Sequence, residues 1–408
     1  MKATRKLGAV GLLVTLTAAL AACGSDDAAT DTTAKAADTT AAAVVETTAP
    51  AAVDTTAPVA VDTTAPAASG DAVCPKDIVI QTDWYPELEH GGSYQLVGPD
   101  GTTNKDDFTY SGPIQPQYAV GGVETVTVKA ISDVQNSQVL ANGDATFAYV
   151  NMSDIIKDSA AVPMVAVAKT LDLDPQMIMW DPAQNDITKP EDIAASGAKV
   201  LHFPSVAYID YMIGKGYMTK EQSNDSYNGS DAEWVAQSGN YFQQGFATNE
   251  IYKYENEVNW KDGAPADVSF YTVGELGFDN YPAAIAMLQE NEAAMAPCLK
   301  VLVPMMQQAW VDYLADPKPI TDKLIDINVT YDTFWSLSEG LNETGLALLE
   351  EKGFAVNSAD GTYCSFDADR VAGLGDILRP IYDAEGTVIA DDLTTVFTND
   401  YCADAPGR

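Results

Sequence analysis

The chain is poor in the residues that bind nucleic acid or metal. Lys and Arg together number 22 of 408 residues, against 59 Asp and Glu, for a formal charge of −37. Binding a phosphate backbone needs clustered cations, and an anionic lipid surface needs the same, so the composition argues against both partners. His90 and His202 are the two histidines. With no two cysteines close in sequence, the paired spacing of a zinc site is missing, and neither a metal nor another cofactor is expected. No Gly-x-x-x-x-Gly-Lys-Ser/Thr loop occurs, so nucleotide energy would have to come from another chain. Beyond residue 22 no apolar run is long enough to span a bilayer.

What is present begins at the first residues. Lys2, Arg5 and Lys6 precede Leu7 to Leu20, which are apolar or small and uncharged. A short apolar core behind a basic tip is an export signal, and it falls short of a spanning helix. Leu20-Ala21-Ala22-Cys23, followed by Gly24 and Ser25, resembles the lipobox. The expectation is a signal peptide over 1–22, a lipid on Cys23, and a chain exported and lipid-anchored at the outer face of the cell membrane. Losing three basic residues with the signal brings the charge to about −40. Residues 23–72 follow as a low-complexity Ala/Thr/Pro/Asp stretch, in which Asp-Thr-Thr-Ala-Pro recurs at 54–58 and 62–66. With no aromatic residue it cannot bury enough surface to order itself. It reads as a linker with a reach of roughly 40 Å, and its Thr and Pro content is that of a glycosylatable stalk.

Four cysteines remain: Cys74, Cys298, Cys364 and Cys402. An even number in an exported chain implies two disulfides, with three pairings open. Cys364–Cys402 would staple the C-terminal segment, and Cys74–Cys298 would then tie the start of the folded part to a distant helix. That folded part, from near Cys74 onward, is larger than one core usually grows, so two lobes are expected. Strand patterns at Lys76–Thr82, Val123–Ile131, Thr146–Val150 and Met164–Ala168 alternate with helical ones at His90–Val97, Ser132–Asn142 (opened by a Ser132-Asp133 cap pair) and Met152–Ser159. The pattern restarts with Ala198–Phe203 and Tyr208–Gly214. Helices are predicted over 284–315, 335–351 and 368–383, with 353–356 a loop between helices. This is an α/β fold with largely parallel sheets.

The informative stretch is Thr82 to Tyr94, Thr-Asp-Trp-Tyr-Pro-Glu-Leu-Glu-His-Gly-Gly-Ser-Tyr, at the junction of the first strand and first helix. Open parallel sheets bind ligands outside the carboxyl ends of their strands, where helix N-termini also offer free N–H groups. Trp84, Tyr85, His90 and Tyr94 would supply aromatic walls and a polar group, and the two glycines would let backbone approach a ligand. The plainer reading makes Trp84 and Tyr94 core aromatics and His90 a cap residue.

Asp83 to Tyr94 resembles the opening motif of solute-binding proteins of the nitrate/sulfonate/taurine and thiamine-precursor group, Asp-Trp-x-Pro-Asn-x-x-His-x-Gly-x-Tyr, with Glu87 in place of the Asn. Gln243-Gln244-Gly245-Phe246-Ala247-Thr248-Asn249-Glu250 with Tyr252, and Asp225 to Ser230 before it, are similar to the family's second-lobe stretch. The resemblance covers residues 76 to 315. It implies a two-lobed, periplasmic-binding-protein-like (type II) fold with a cleft between the lobes. Lobe 1 would hold 73–170 and 285–408, lobe 2 would hold 171–284, and 99–118 would form an exposed loop or hairpin beside the pocket. The implied role is the extracytoplasmic binding component of an ABC importer, a monomer delivering a small molecule to permease and ATPase partners, and not an enzyme. Candidate ligand-binding residues are Trp84, His90, Tyr94 and Asn151 (alternatively an N-cap) from lobe 1. Lobe 2 would contribute Ser205 as cap and contact, Tyr208, Gln244 and Glu250. Glu87, Glu89 and Glu250 without nearby Arg or Lys speak against a bare anion. They favour a nitrogen heterocycle of pyrimidine-precursor type, stacked on Trp84, over a nitrate- or taurine-like ligand. The rivals are a structural surface lipoprotein and an iron-dependent thiamine-pyrimidine synthase-like enzyme, which the absence of a His- or Cys-rich cluster opposes.

Overall fold

The computed structural model describes residues 72–131 and 134–408. The signal peptide, Cys23, all of the linker but its last residue, and the Ser132-Asp133 cap pair lie outside the described residues.

The first part of the chain runs β1 (Asp77–Gln81), α1 (Gly91–Val97), β2 (Thr102–Asn104), β3 (Thr109–Pro113), β4 (Thr125–Lys129), α2 (Asn136–Asn142), β5 (Phe147–Val150), α3 (Met152–Asp158) and β6 (Met164–Ala168). The middle part runs β7 (Gln176–Trp180), α4 (Glu191–Ser196), β8 (Val200–Leu201), α5 (Ala207–Lys215), β9 (Ser223–Asn224), α6 (Ala232–Ala236), β10 (Phe242–Phe246), α7 (Glu250–Asn256) and β11 (Ser269–Thr272). The chain returns through β12 (Ala284–Leu288) and ends in α8 (Gln289–Ala315), α9 (Lys318–Tyr331), α10 (Glu339–Glu351) and α11 (Ala368–Glu385).

Two sheets result, ordered β2-β3-β4-β1-β5-β12-β6 and β11-β7-β10-β8-β9. Strands β5 and β6 are buried at every residue, because helices cover both faces, and so they read as unbroken apolar runs. The sheets are mixed rather than largely parallel. β1 pairs in parallel with β4 and β5, and β8 with β10 and β9. The antiparallel members include β7 and β12. These are the strands on which the chain enters one sheet from the other, so they run against their neighbours. Ala284–Leu288, expected to be helical, is one of them. A five-residue apolar run fits a buried strand as well as a helix, and here it fills the gap between β5 and β6. The helix expected over 335–351 begins at Glu339, with Ser338 as N-cap, its hydroxyl accepting the Leu341 N–H at 3.1 Å. Residues 353–356 form a loop, as expected. The insertion at 99–118 is the β2–β3 hairpin, joined to the sheet edge at β4. It is less exposed than expected, since Tyr110, Ile114 and Tyr118 are buried.

Helix α8, at 27 residues some 40 Å long, packs against α1. Gly91 and Gly92 permit this, because a Cβ at either position would overlap the rings of Tyr313 and Trp310 respectively. The two glycines serve helix packing and not the approach of a ligand.

The sheets are joined by two crossovers, 169–175 and 273–283, and the C-terminal segment clasps both. Lys169, fully buried, pairs with Asp172 and donates to the Val356 carbonyl at 3.0 Å. Its N–H donates to the Cys364 carbonyl, and the Tyr363 hydroxyl donates to the Thr170 carbonyl at 2.6 Å. Arg370 lies 3.8 Å over the Tyr281 ring, pairs with Asp279 at 2.8 Å and donates to the Asn280 carbonyl at 2.7 Å. Thr170 donates to the Ala283 carbonyl at 3.0 Å, and Asn280 to Asp174 at 3.0 Å, linking the crossovers directly. Helix α11 packs on α3 and α5, and so touches helices of both sheets.

Both disulfides take the pairing Cys74–Cys298 and Cys364–Cys402. The second holds the clasp segment closed. Its bridge spans 38 residues, for which loop-closure entropy gives about 4 kcal/mol. Replacing Cys364 and Cys402 by Ser is expected to lower the unfolding free energy by an amount of that order, and to speed amide exchange at Lys169 more than at Ile80. An unchanged denaturant midpoint would contradict this role.

Candidate functional site

The loop leaving β1 is held from several sides. Thr82 donates to the Trp84 carbonyl at 2.8 Å, Asn328 of α9 donates to the Pro86 carbonyl at 2.7 Å, and Tyr313 of α8 donates to the Leu88 carbonyl at 3.0 Å. A 3₁₀ turn over Leu88–His90 leads into α1. This anchoring turns Glu87, Glu89 and His90 inward, where all three are buried.

His90 bonds through Nε2 to Asp83 at 2.8 Å, has Glu87 at 3.8 Å, and packs edge-on against Tyr149. It holds the N-cap position of α1 without a side-chain cap bond, and its ring is the centre of an acidic knot. From the second sheet, the turn between β10 and α7 meets this knot. The Thr248 hydroxyl donates to Glu89, and the Asn249 amide donates to Glu87 at 3.4 Å. Glu250 accepts the Phe246 N–H at 2.7 Å, which closes that turn. Neither Lys nor Arg pairs with any of the three glutamates among the described residues, and the electrostatic consequences are large. Burial first, then Glu89, Asp83 and Glu250, hold the Glu87 carboxyl well above the usual range. Glu89 is raised by burial, with the Thr248 hydrogen bond opposing. Burial pushes Glu250 up to about 7, against the Phe246 N–H and Lys253. Clustered, strongly shifted groups are a mark of functional sites.

Beside the knot is an aromatic box. Trp84, partly exposed, has Phe203 and Trp335 at 5.6 Å, Phe334 at 6.3 Å and Tyr85 at 5.4 Å, all near edge-on. Phe203 in turn packs, tilted, against Tyr227 at 4.9 Å. Gly229, at φ +87°, abuts Trp84, and any side chain there would overlap the indole. Lys253 lies 5.3 Å over Trp335.

The other candidates fall elsewhere. Tyr94 is buried in the core against Tyr110 at 5.7 Å. Asn151 holds the N-cap position of α3 without a side-chain cap bond. Its side-chain Oδ1 accepts the Ala283 N–H at 3.1 Å, which ties the end of β5 to a crossover. Tyr208 is buried near Phe278. Gln244 accepts the Phe203 N–H at 2.8 Å and so positions a wall of the box. Ser205 does not cap a helix: α5 starts after Val206, and Ser205 sits exposed at φ +61°. Sequence reading missed Phe203, Tyr227, Phe334 and Trp335. An adjacent Phe-Trp pair in a polar interhelix loop was the available signal for the last two. A cavity of about 400 Å³ lies apart from these residues, beside Arg370 and lined also by Asp172, Asp360 and Asp367. It belongs to the clasp. Among the described residues no group of three or more His, Cys, Asp and Glu side chains could hold a metal ion, and no helix is long and apolar enough to cross a membrane.

A carboxyl that keeps its proton longer folded than unfolded stabilises the fold most below its unfolded pKa. That contribution is lost as pH rises through the folded value. Glu250 therefore contributes most below about 4.5 and loses its effect through about 7; Asp154 and Asp174, both raised to about 6 by burial, act in the same direction. Stability of the ligand-free chain is expected to fall between pH 5 and 8, and Glu250→Gln to remove about 3 kcal/mol of that slope. Denaturant unfolding across the range tests this, and an unaltered slope in the variant would refute it.

No protein-family model matches the sequence. Among solved structures the chain is similar to the periplasmic aliphatic sulphonate binding protein SsuA from Escherichia coli, at 11% identity over 82% of this chain and 95% of that one, with a TM-score of 0.53. It is similar also to the ligand binding component of an ABC-type import system from Staphylococcus aureus, a structure with zinc bound, at 10% identity over 81% and 100% of the chains, TM-score 0.51. A protein from Bordetella bronchiseptica RB50 matches at 12% identity over 80% and 96%, TM-score 0.51. The chain has the two-sheet α/β fold of the binding components of ABC-type import systems.

Proposed function

We propose that this protein is the extracytoplasmic solute-binding component of an ABC importer, tethered by a lipid on Cys23 and a flexible linker. In this reading 73–170 and 285–408 form one lobe and 171–284 the other, and ligand is captured where they meet. The observation that carries it is the junction at Trp84. Residues of both sheets converge there on one aromatic box and one buried acidic knot, beside crossovers suited to hinge motion. The ligand is a small nitrogen heterocycle of pyrimidine type, stacked on Trp84 with Phe203 and Tyr227 alongside. His90 and Glu250 supply polar contacts. Gln244 and Asn151 act as positioning residues, while Tyr94, Tyr208 and Ser205 contribute less. Carboxyl groups without a cationic partner are poorly suited to nitrate or a sulfonate. The chain carries no nucleotide-binding loop, so permease and ATPase partners would power transport.

Native mass spectrometry of freshly purified protein is expected to show a co-purified nitrogen heterocycle, and solution scattering to show compaction with 4-aminopyrimidine. Trp84→Ala is expected to weaken that binding tenfold or more. Stabilisation by nitrate or taurine and by no heterocycle would replace this reading with the anion one. Absence of any ligand-linked compaction would favour a purely structural surface protein.

A further inference from the structure

The junction is unusual in which polar atoms it leaves without a partner. Glu89 Oε2, His90 Nδ1 and Asn249 Oδ1 are buried and make no hydrogen bond. Their residues are at most 2% exposed. A buried polar atom left unpaired costs roughly 1–3 kcal/mol, so three in one place point to a missing partner. The chemistry of these three is one-sided, and the unpaired donor nearby, Trp335 Nε1–H, lies in the aromatic box rather than in the knot. The amide oxygen is an acceptor, and so is the carboxyl oxygen once ionised. In the tautomer that carries its one proton on Nε2, directed at Asp83, His90 Nδ1 is an acceptor as well. Glu87 and Glu250 add more acceptors within electrostatic reach.

The surroundings do not supply the matching positive charge. The titratable groups facing the knot are Asp83 and His90 from its own loop, Tyr94 from α1, Tyr149 from β5, Tyr313 from α8, Tyr227, and Lys253 and Tyr254 from α7. Lys253 lies over the Trp335 ring and acts on Glu250 without bonding to it, and His90 is hydrogen-bonded through Nε2 to Asp83. What fits is a group that is planar, cationic and rich in N–H donors. The plane suits the aromatic box, and paired N–H donors suit carboxylates.

Resting on the reading of this junction as a solute site, we infer that its ligand is a planar monocation with an amidinium-type group. Glu87 and Glu89 would hold that group from the first-sheet side and Glu250 from the second. The ligand's N–H donors would replace the direct Thr248–Glu89 and Asn249–Glu87 hydrogen bonds that now join the two sides. Because the cation favours ionised carboxylates, uptake expels protons.

Three single-ring probes separate charge from shape: benzamidine (cation), benzamide (its neutral isostere) and benzenesulfonate (anion). Calorimetry on the full folded domain is expected to show benzamidine binding at least tenfold tighter than benzamide, no binding of benzenesulfonate, and benzamidine affinity rising from pH 5 to 8. In Glu87→Gln/Glu89→Gln, which keeps hydrogen-bonding shape, the preference for benzamidine should vanish while the melting temperature rises. Benzamide binding as tightly as benzamidine, benzenesulfonate binding alone, or a benzamidine affinity flat in pH would overturn the cation assignment and leave the Trp84 site standing. Binding of none of the three rings would overturn the ring-stacking site together with it.

Discussion

The relation between the two sheets depends on the clasp over the crossovers. Residues 169–175 and 273–283 run side by side, linked by Thr170 to Ala283 and by Asn280 to Asp174. A buried lysine is tolerable only when paired and hydrogen-bonded, and Lys169 has Asp172, two carbonyl partners through its side chain and backbone, and the Tyr363 ring. Arg370 does the same work from α11 on the second crossover. Without these contacts the sheets would be joined by two bare strands, and the turn bearing Thr248 to Glu250 would have no defined position against Glu87 and Glu89.

The junction itself runs against stability. Three glutamates are buried with no Lys or Arg bonded to them among the described residues, and several of their neighbours' polar atoms are unpaired. Core packing elsewhere offsets this, above all α8 on α1 through the glycine pair. A fold that gives up stability at one place where both sheets contribute marks that place as functional or strained.

Much of this was legible in the residues. β1 followed by α1, with Asp83 to Tyr94 between them, marked the place where both sheets meet, because strand-end loops of α/β sheets gather side chains from several elements. The even cysteine count implied both disulfides, and the pairing found is one of the three it left open. Other features depended on partners that a linear reading cannot see. Gly91 and Gly92 looked like room for a ligand and are room for Trp310 and Tyr313, more than 200 positions away. Ala284–Leu288 looked helical because it runs straight into α8, yet the slot between β5 and β12's other neighbour, β6, demanded a strand. Strand β7, a crossing strand, and α9 were not anticipated at all. Phe334 and Trp335 join the site from the loop after α9, at a distance in sequence that no local motif spans.

The Cys74–Cys298 bond has a mechanical consequence. Cys74 stands three residues before β1, the strand between β4 and β5, and its partner lies within α8. Tension arriving along the preceding chain would pass through a covalent bond into the middle of that long helix and spread over its contact with α1. The shear that would otherwise unzip β1 from β4 and β5 is bypassed, so a pull on that chain would load the contact of α8 with α1 and spare the strand that leads to Trp84.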